Sequence, residues 1–353
     1  MRDPAERARR MSDRGLRAMV GVGTAILVVA GLGVGEPVFA PLTFALFIIA
    51  IVWPLQHRLQ ARIPKLLALA ITIAVTVAVC LAFASLAVWG FSRVGRSLVA
   101  DVPRYQALYD TMVTWLDGHG VSVAGLWAEH FNVAWLLRAT QHVAGRVNTT
   151  LSFWLIALVY VILGLLEVDD IRRKIEALDN REVAHVLLDG SVAAAEKFRK
   201  YMVVRTQMSA MTGLLVGIFA GITGLPFAIE WGVIAFVLNY IPFIGPFIAT
   251  LFPTLLAMTQ FDSWQAVLGV FICLNIIQFV VGSYVEPRVS GDILSISPLV
   301  VLFTIFFWTF LWGLFGTFIG VPIALAILSF CGQHRSSRWL ADLLGGPKQT
   351  KTP

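Results

Sequence analysis

The stretch from residue 206 to residue 330 most limits how this chain can fold. Among its 125 residues only Glu230, Asp262, Glu286, Arg288 and Asp292 carry a charge. A charge at bilayer depth costs about 2.5–3.5 kcal/mol on insertion scales, so tracts that live there shed them. The rest of the chain has the same character. It is 58% hydrophobic and 14% charged, against about 25% charged in an ordinary soluble domain. Apolar surface on that scale cannot all be hidden inside a water-soluble globule. The formal net charge of +6 does not indicate nucleic acid, because the basic residues fall in short blocks between apolar runs, as in a multi-span membrane protein. Disorder, a coiled coil, a secreted disulfide scaffold and a nucleic-acid binder all fit poorly. Cys80, Cys273 and Cys331 lie singly in or beside apolar runs and read as small apolar side chains, with no metal or redox spacing. The fold class is an all-α polytopic membrane protein.

A helix needs about 20 apolar residues to cross a bilayer. Runs near that length occur at 16–33, 38–55, 66–91, 151–166, 208–225 and 267–285, with longer tracts at 227–259 and 298–330. About eight membrane segments follow. The first two are joined by a few residues around Gly35, Glu36 and Pro37 and form a helical hairpin. Arg2, Arg7, Arg9, Arg10, Arg14 and Arg17 precede an apolar run without a small-residue cleavage site, so the N-terminus reads as an uncleaved first span. Basic residues number 21 in the 87 positions of 1–18, 56–65, 168–205 and 333–353, against 5 in the 56 positions of 92–147. The first set is therefore cytoplasmic, both termini are inside and 92–147 is external.

The chain divides into a basic N-terminus (1–18), N-terminal membrane helices (19–91), an external amphipathic helical segment (92–147) and a membrane helix (148–168). A charged, solvated helical connector (169–205), a C-terminal membrane core (206–330) and a cytoplasmic tail (331–353) complete it. In the external segment Leu108, Met112 and Trp115, then Trp127, Phe131 and Trp135, fall at helical spacing. They suggest a small helical cap or interfacial helices, with a gate over a pore as the sharper alternative.

Both long tracts are interrupted near the middle, one by Pro242, Gly245 and Pro246, the other by Gly313, Gly316, Gly320 and Pro322. Proline lacks its amide hydrogen and disrupts the bond to the residue four positions back. Non-helical backbone at membrane depth is tolerated only when buried in protein or facing water, and transporters place substrate beside such breaks. Asn239, Tyr240, Pro242, Gly245 and Pro246, with Gly313, Gly316 and Pro322, are accordingly candidates for a substrate or ion pathway; a kink needed only for packing is the alternative. Two topologies fit. Each tract is one broken crossing, or each is a re-entrant hairpin, 227–259 entering from outside and 298–330 from inside. Thirty-three residues of helix span about 50 Å, beyond a core of about 30 Å, and half that length falls short, so length favours hairpins.

Between the two tracts, Asn275, Gln278, Gly282 and Glu286 are spaced to share one stripe of an α-helix. Such a stripe lines a helix–helix contact or a solvated path, and both stay open. Glu286 and Arg288 are pathway candidates that could also simply pair with each other. Asp262 reads as a solvated turn acid, and Gly213, Gly217 and Gly221 as a small-residue packing ridge.

The run Asn239-Tyr240-Ile241-Pro242-Phe243-Ile244-Gly245-Pro246 resembles the IPxIGP element of the AI-2E transporter family, also called the PerM family. Glu286-Pro287-Arg288-Val289-Ser290-Gly291, with Ser297-Pro298-Leu299-Val300-Val301, resembles its next element. Leu311-Trp312-Gly313-Leu314-Phe315-Gly316, continuing to Gly320-Val321-Pro322, resembles its terminal one. Order and spacing both fit, over about residues 19–330. The resemblance implies an eight-span bacterial inner-membrane protein associated with export of the autoinducer-2 signal or with sodium/proton antiport. Glu230, Asn275 and Gln278 match no motif and rest on the physical argument alone.

The leading expectation is secondary-active export of a small polar metabolite or signalling molecule. There is no G-x-x-x-x-G-K-[ST] string for ATP drive. Sodium/proton antiport is an alternative, weakened by the scarcity of deep paired acids; a passive pore or membrane scaffold is another. An enzyme is not expected, since H-E-x-x-H and G-x-S-x-G are missing and His119, His130 and His142 are irregularly spaced. The expected partners are a small-molecule or ion substrate, the lipid bilayer and copies of the same chain in a homo-oligomer, with no nucleic acid, cofactor or metal.

Overall fold

The computed structural model describes residues 4–101, scattered positions between 103 and 118, and residues 147–261, 263–290 and 296–345. The expectations for Leu108, Met112, Trp115, Trp127, Phe131, Trp135 and Asp262 lie outside the described residues. Helix α1 (Pro4–Val34) turns at Gly35 into α2 (Glu36–Gln60), followed by α3 (Lys65–Ala100). Then come α4 (Val147–Glu176), α5 (Arg181–Ile222), α6 (Ala228–Leu238), α7 (Ile244–Gln260) and α8 (Trp264–Phe279). A π-helical turn (Val280–Val285) leads into the short α9 (Glu286–Ser290), and α10 (Pro298–Gln333) and α11 (Arg338–Leu344) follow.

Each of the eight apolar segments is helical. Among the described residues, six stretches, including Leu151–Glu176, Arg181–Ile222 and Trp264–Ser290, are long and apolar enough to cross a membrane, while Met19–Val34, α6 and α7 are shorter apolar helices. Helix α5 starts where the Asn180 side chain accepts hydrogen bonds from the Glu182 and Val183 amides, satisfying two otherwise orphaned donors. It then runs unbroken through residues 205 and 206, so the charged connector and the apolar core share one rod.

Both interrupted tracts double back on themselves. In α10 the reversal falls at Trp312 and Gly313, where Gly313 has φ 54° and ψ −137°, a conformation glycine adopts without the clash a side chain brings. Past it the second arm returns along the first. The hydroxyls of Thr309 and Thr317 meet at 2.7 Å, whereas a straight helix would hold them about 12 Å apart along its axis. Gly316 lies against the Trp308 carbonyl and Gly320 against that of Thr304. The start of the tract also meets the helix that follows it, with the Ser297 amide donating to the Leu344 carbonyl of α11 at 3.1 Å.

Helices α6 and α7 form the other hairpin. Its turn carries Phe243 at φ 64°, and Gly245 is pressed onto the Leu238 carbonyl. Trp231, Ile234 and Leu238 of α6 then share a core with Ala249, Leu256 and Ala257 of α7 and with Val216 and Ala220 of α5. The ridge Gly213, Gly217 and Gly221 is a packing surface. A Cβ added to Gly213 would stand 2.6 Å from the Gly232 carbonyl, and one on Gly217 3.3 Å from that of Ala228. Small residues let two backbones approach where lipid supplies no hydrophobic drive between helices.

Candidate functional site

The tip of the α6–α7 hairpin is tied to α5 by two side chains. Asn239 donates from Nδ2 to Ser209 Oγ at 3.2 Å, in a buried position, and the Tyr240 hydroxyl donates to Thr206 Oγ1 at 2.9 Å. One turn before Ser209 on the same face stands Arg205, whose side chain is only 6% exposed and whose Nη1 donates to Glu286 Oε1 at 2.8 Å. Arg205, Ser209 and Thr212 thus form a polar line at i, i+4 and i+7 along a buried helix face. It is not fully satisfied: Arg205 Nε, Thr212 Oγ1 and, on α8, Gln278 Nε2 are buried without a hydrogen-bond partner among the described residues.

Beside this line lies a cavity of about 120 Å³, bounded by Phe47 of α2, Tyr201 and Arg205 of α5, Tyr240 of the first hairpin tip, and Phe318 and Pro322 of the second arm of α10. Its walls are mostly apolar and aromatic, with one cation and two phenol-bearing side chains among them. That is the common build of a small-molecule site, an apolar pocket with a few convergent polar groups.

Glu286 reaches Arg205 because its helix leaves α-geometry. The Glu286 amide bonds to the carbonyl of Val281, five residues back. Pro287 would set its ring against the carbonyl of residue 283 in a regular α-helix, and a π-turn immediately before it widens the spiral. The extra residue per turn breaks the periodicity that would place Asn275, Gln278, Gly282 and Glu286 on one stripe. Asn275 is exposed and donates to the Phe271 carbonyl of its own helix at 2.8 Å. Gly282 is exposed too, whereas Gln278 and Glu286 are half-buried. The local Glu286–Arg288 pairing is also corrected. Glu286 pairs with Arg205, and the Arg288 guanidinium stacks over the Tyr284 ring at 3.7 Å.

Comparison with known proteins settles what kind of molecule carries this geometry. The model of the AI-2E family transporter matches residues 22–336. The chain belongs to the AI-2E transporter family. The AI-2 transport protein TqsA of Escherichia coli (strain K12) is 27% identical over 343 residues, covering 94% of this chain and 96% of the relative. A "Putative transport protein" of Haemophilus influenzae is 26% identical over 359 residues, covering 95% and 98%. This chain is a multi-pass membrane transporter.

In this AI-2E transporter the first and last family-like elements are the two hairpin turns, and the middle one carries Glu286. Asn239 and Tyr240 bind α5, Gly245 and Gly316 make the closest arm-to-arm approaches, and Pro322 lines the cavity. Pro242 and Pro246 are half-buried at the first turn, and Gly313 makes the second. Asn275 and Arg288 stand apart from the cavity lining. Sequence reasoning missed Arg205, Thr206, Ser209 and Tyr201. Arg205 closes a run of basic residues and is counted there as solvated; the signal that finds it is the polar spacing it begins, Arg205, Ser209 and Thr212, which continues into the apolar tract. Glu230 also has a partner. It is 7% exposed in the first turn of α6 and accepts from Arg93 Nη1 at 2.8 Å, and Arg93 in turn stands 5.6 Å from the Trp89 ring.

Proposed function

We propose that this transporter exports a small polar metabolite or signalling molecule by secondary-active transport, through the cavity that α2, α5 and the two hairpins line. The observation that carries this reading is that one cavity is lined by both interrupted tracts, through Tyr240 on one side and Phe318 and Pro322 on the other, with buried Arg205 between them. Movement of either hairpin changes the access of such a cavity to one side. The lack of a phosphate-binding loop string supports a gradient as the energy source. The name of the Escherichia coli relative supports an autoinducer-2-like solute.

The distribution of basic residues, 21 in 87 positions against 5 in 56, supports a bacterial inner membrane with both termini cytoplasmic. In that orientation the α6–α7 hairpin enters from outside and α10 from inside. The site residues we assign are Arg205, Tyr240, Glu286 and Pro322, with Asn239 and Ser209 positioning the first tip. The test is flux of autoinducer-2 in proteoliposomes carrying an imposed ion or proton gradient. Accumulation against the solute gradient is expected. Mere equilibration would make the protein a passive pore, and no flux in a well-folded preparation would remove the solute assignment.

A further inference from the structure

Arg205 offers more than its ion pair uses. A guanidinium carries five N–H donors in a planar fork that matches the oxygens of a carboxylate or phosphate. Here one nitrogen is engaged by Glu286, and Nε, buried, has no partner among the described residues. The same side chain lines the cavity between the hairpins together with Tyr201 and Tyr240, whose other walls are aromatic and aliphatic. Such walls offer an anion no competing charge and no competing acceptor. Glu286, 19% exposed, is the group that already neutralises Arg205, and it arrives on a helix irregularity rather than a regular turn.

We propose that Arg205 recognises a small oxyanion-bearing solute in this cavity, and that Glu286 is the internal anion with which the solute competes. The inference rests on the transport reading of the cavity and names its substrate class. A cationic solute meets Arg205 instead of a free acid, and a wholly apolar one leaves the fork idle. Competition gives the two members of the pair opposite roles. Removing the charge of Glu286 frees the fork and tightens oxyanion binding, whereas removing Arg205 eliminates it. An ion pair that serves only the fold predicts neither.

The experiment uses full-length, detergent-purified wild type, E286Q, R205K, R205Q and the doubly neutral R205Q/E286Q. Each is titrated with acetate, lactate and phosphate, with lactamide as the uncharged isostere of lactate, and followed by the thermal unfolding midpoint and by equilibrium binding of labelled lactate or phosphate. A ligand that binds only the folded state raises the midpoint saturably. We expect at least one oxyanion to do so in wild type, E286Q to saturate at a concentration on the order of tenfold lower, R205K to bind more weakly, and lactamide to act on none. The doubly neutral protein leaves no lone buried charge, so it reports the loss of Arg205 even where R205Q fails to fold. No saturable oxyanion effect in folded wild type and E286Q, or an undiminished one in R205Q/E286Q, overturns the proposal. Autoinducer-2 flux by the same wild-type preparation separates the two levels. Flux without oxyanion binding sinks the substrate class alone, and oxyanion binding in a protein that moves no solute sinks the transport reading.

Discussion

Replacing Gly316 with alanine tests whether α10 is a closed hairpin whose arms touch backbone to backbone. An alanine Cβ there would stand 1.8 Å from the Trp308 carbonyl oxygen and 2.4 Å from its carbon, where real Cβ contacts are essentially never under 3.0 Å. The obstacle is backbone, so no side-chain rotation relieves it. The arms must part by about 1.2 Å, the difference between 3.0 and 1.8 Å, and the cost is shared by everything they clasp. The Thr309–Thr317 hydroxyl pair at 2.7 Å opens, and Ile305 lifts from Val321 and Leu325 in their shared core. Forcing even one methyl group into a packed interior costs about 1–3 kcal/mol. That corresponds to a fall of roughly 1–4 °C in the unfolding midpoint of a 353-residue protein. The control is Gly269→Ala in α8, where a Cβ meets nothing within 4 Å and helix propensity alone gives up to about 1 kcal/mol of stabilisation. Thermal unfolding of both variants in the same detergent reads the contrast. A Gly316→Ala protein as stable as Gly269→Ala would mean that the two arms are not in contact, and the tract would then be a kinked single crossing.

Four other outcomes follow from the geometry. Alanine at Pro242, Gly245 and Pro246 together removes the turn of the first hairpin; the protein should insert but lose transport, and wild-type flux from a well-expressed triple variant would show the turn to be packing alone. A double-mutant cycle on Arg93→Ala and Glu230→Gln should give a coupling of about 1 kcal/mol, limited by the half-exposure of Arg93, whereas additive effects would show that the pair contributes nothing. Trp312→Phe removes an indole N–H bonded to the part-buried Leu32 carbonyl at 3.0 Å and should cost about 1 kcal/mol, the net worth of one hydrogen bond; an unchanged unfolding midpoint counts against that contact. In a cysteine-free background, an impermeant thiol reagent outside intact spheroplasts should reach a cysteine replacing Ser122 but not those replacing Val289 or Ser336, and labelling of the Val289 replacement from outside would refute the hairpin topology.

Much of this arrangement is legible in the sequence. Pro242, Gly245 and Pro246, and Gly313 with Gly316, stand where two apolar tracts are too long for one crossing, and both tracts reverse at those places. Length and backbone chemistry are local properties, so they can be read from the chain in order. Partnerships were harder. The partner of Glu286 is 81 residues away, at Arg205, while Arg288 stands two positions off and attracts the local assignment. The four-residue stripe failed for a different reason. It assumes α-periodicity through residues 280–285, and the π-turn depends on how Pro287 settles against its neighbours. Glu230 was visible as a deep acid, but its pairing with Arg93 follows from α3 and α6 lying side by side, which hydropathy does not encode.

The hydrogen bond from Trp312 to Leu32 joins groups 280 residues apart, and that separation is also an interval of time. At roughly 5–20 residues per second of synthesis, the tip of α10 emerges about 15–60 s after the elbow between α1 and α2 that it will touch. Throughout that interval the Leu32 carbonyl lacks this donor, and the core that Trp308, Leu311 and Trp312 share with Ala40 and Phe153 is unfilled. The N-terminal helices are therefore a provisional assembly, completed by a segment made 280 residues later. A nascent chain stalled before Trp312 exposes that unfinished face to the membrane, so quality-control proteases have a long window in which to distinguish incomplete copies from finished ones.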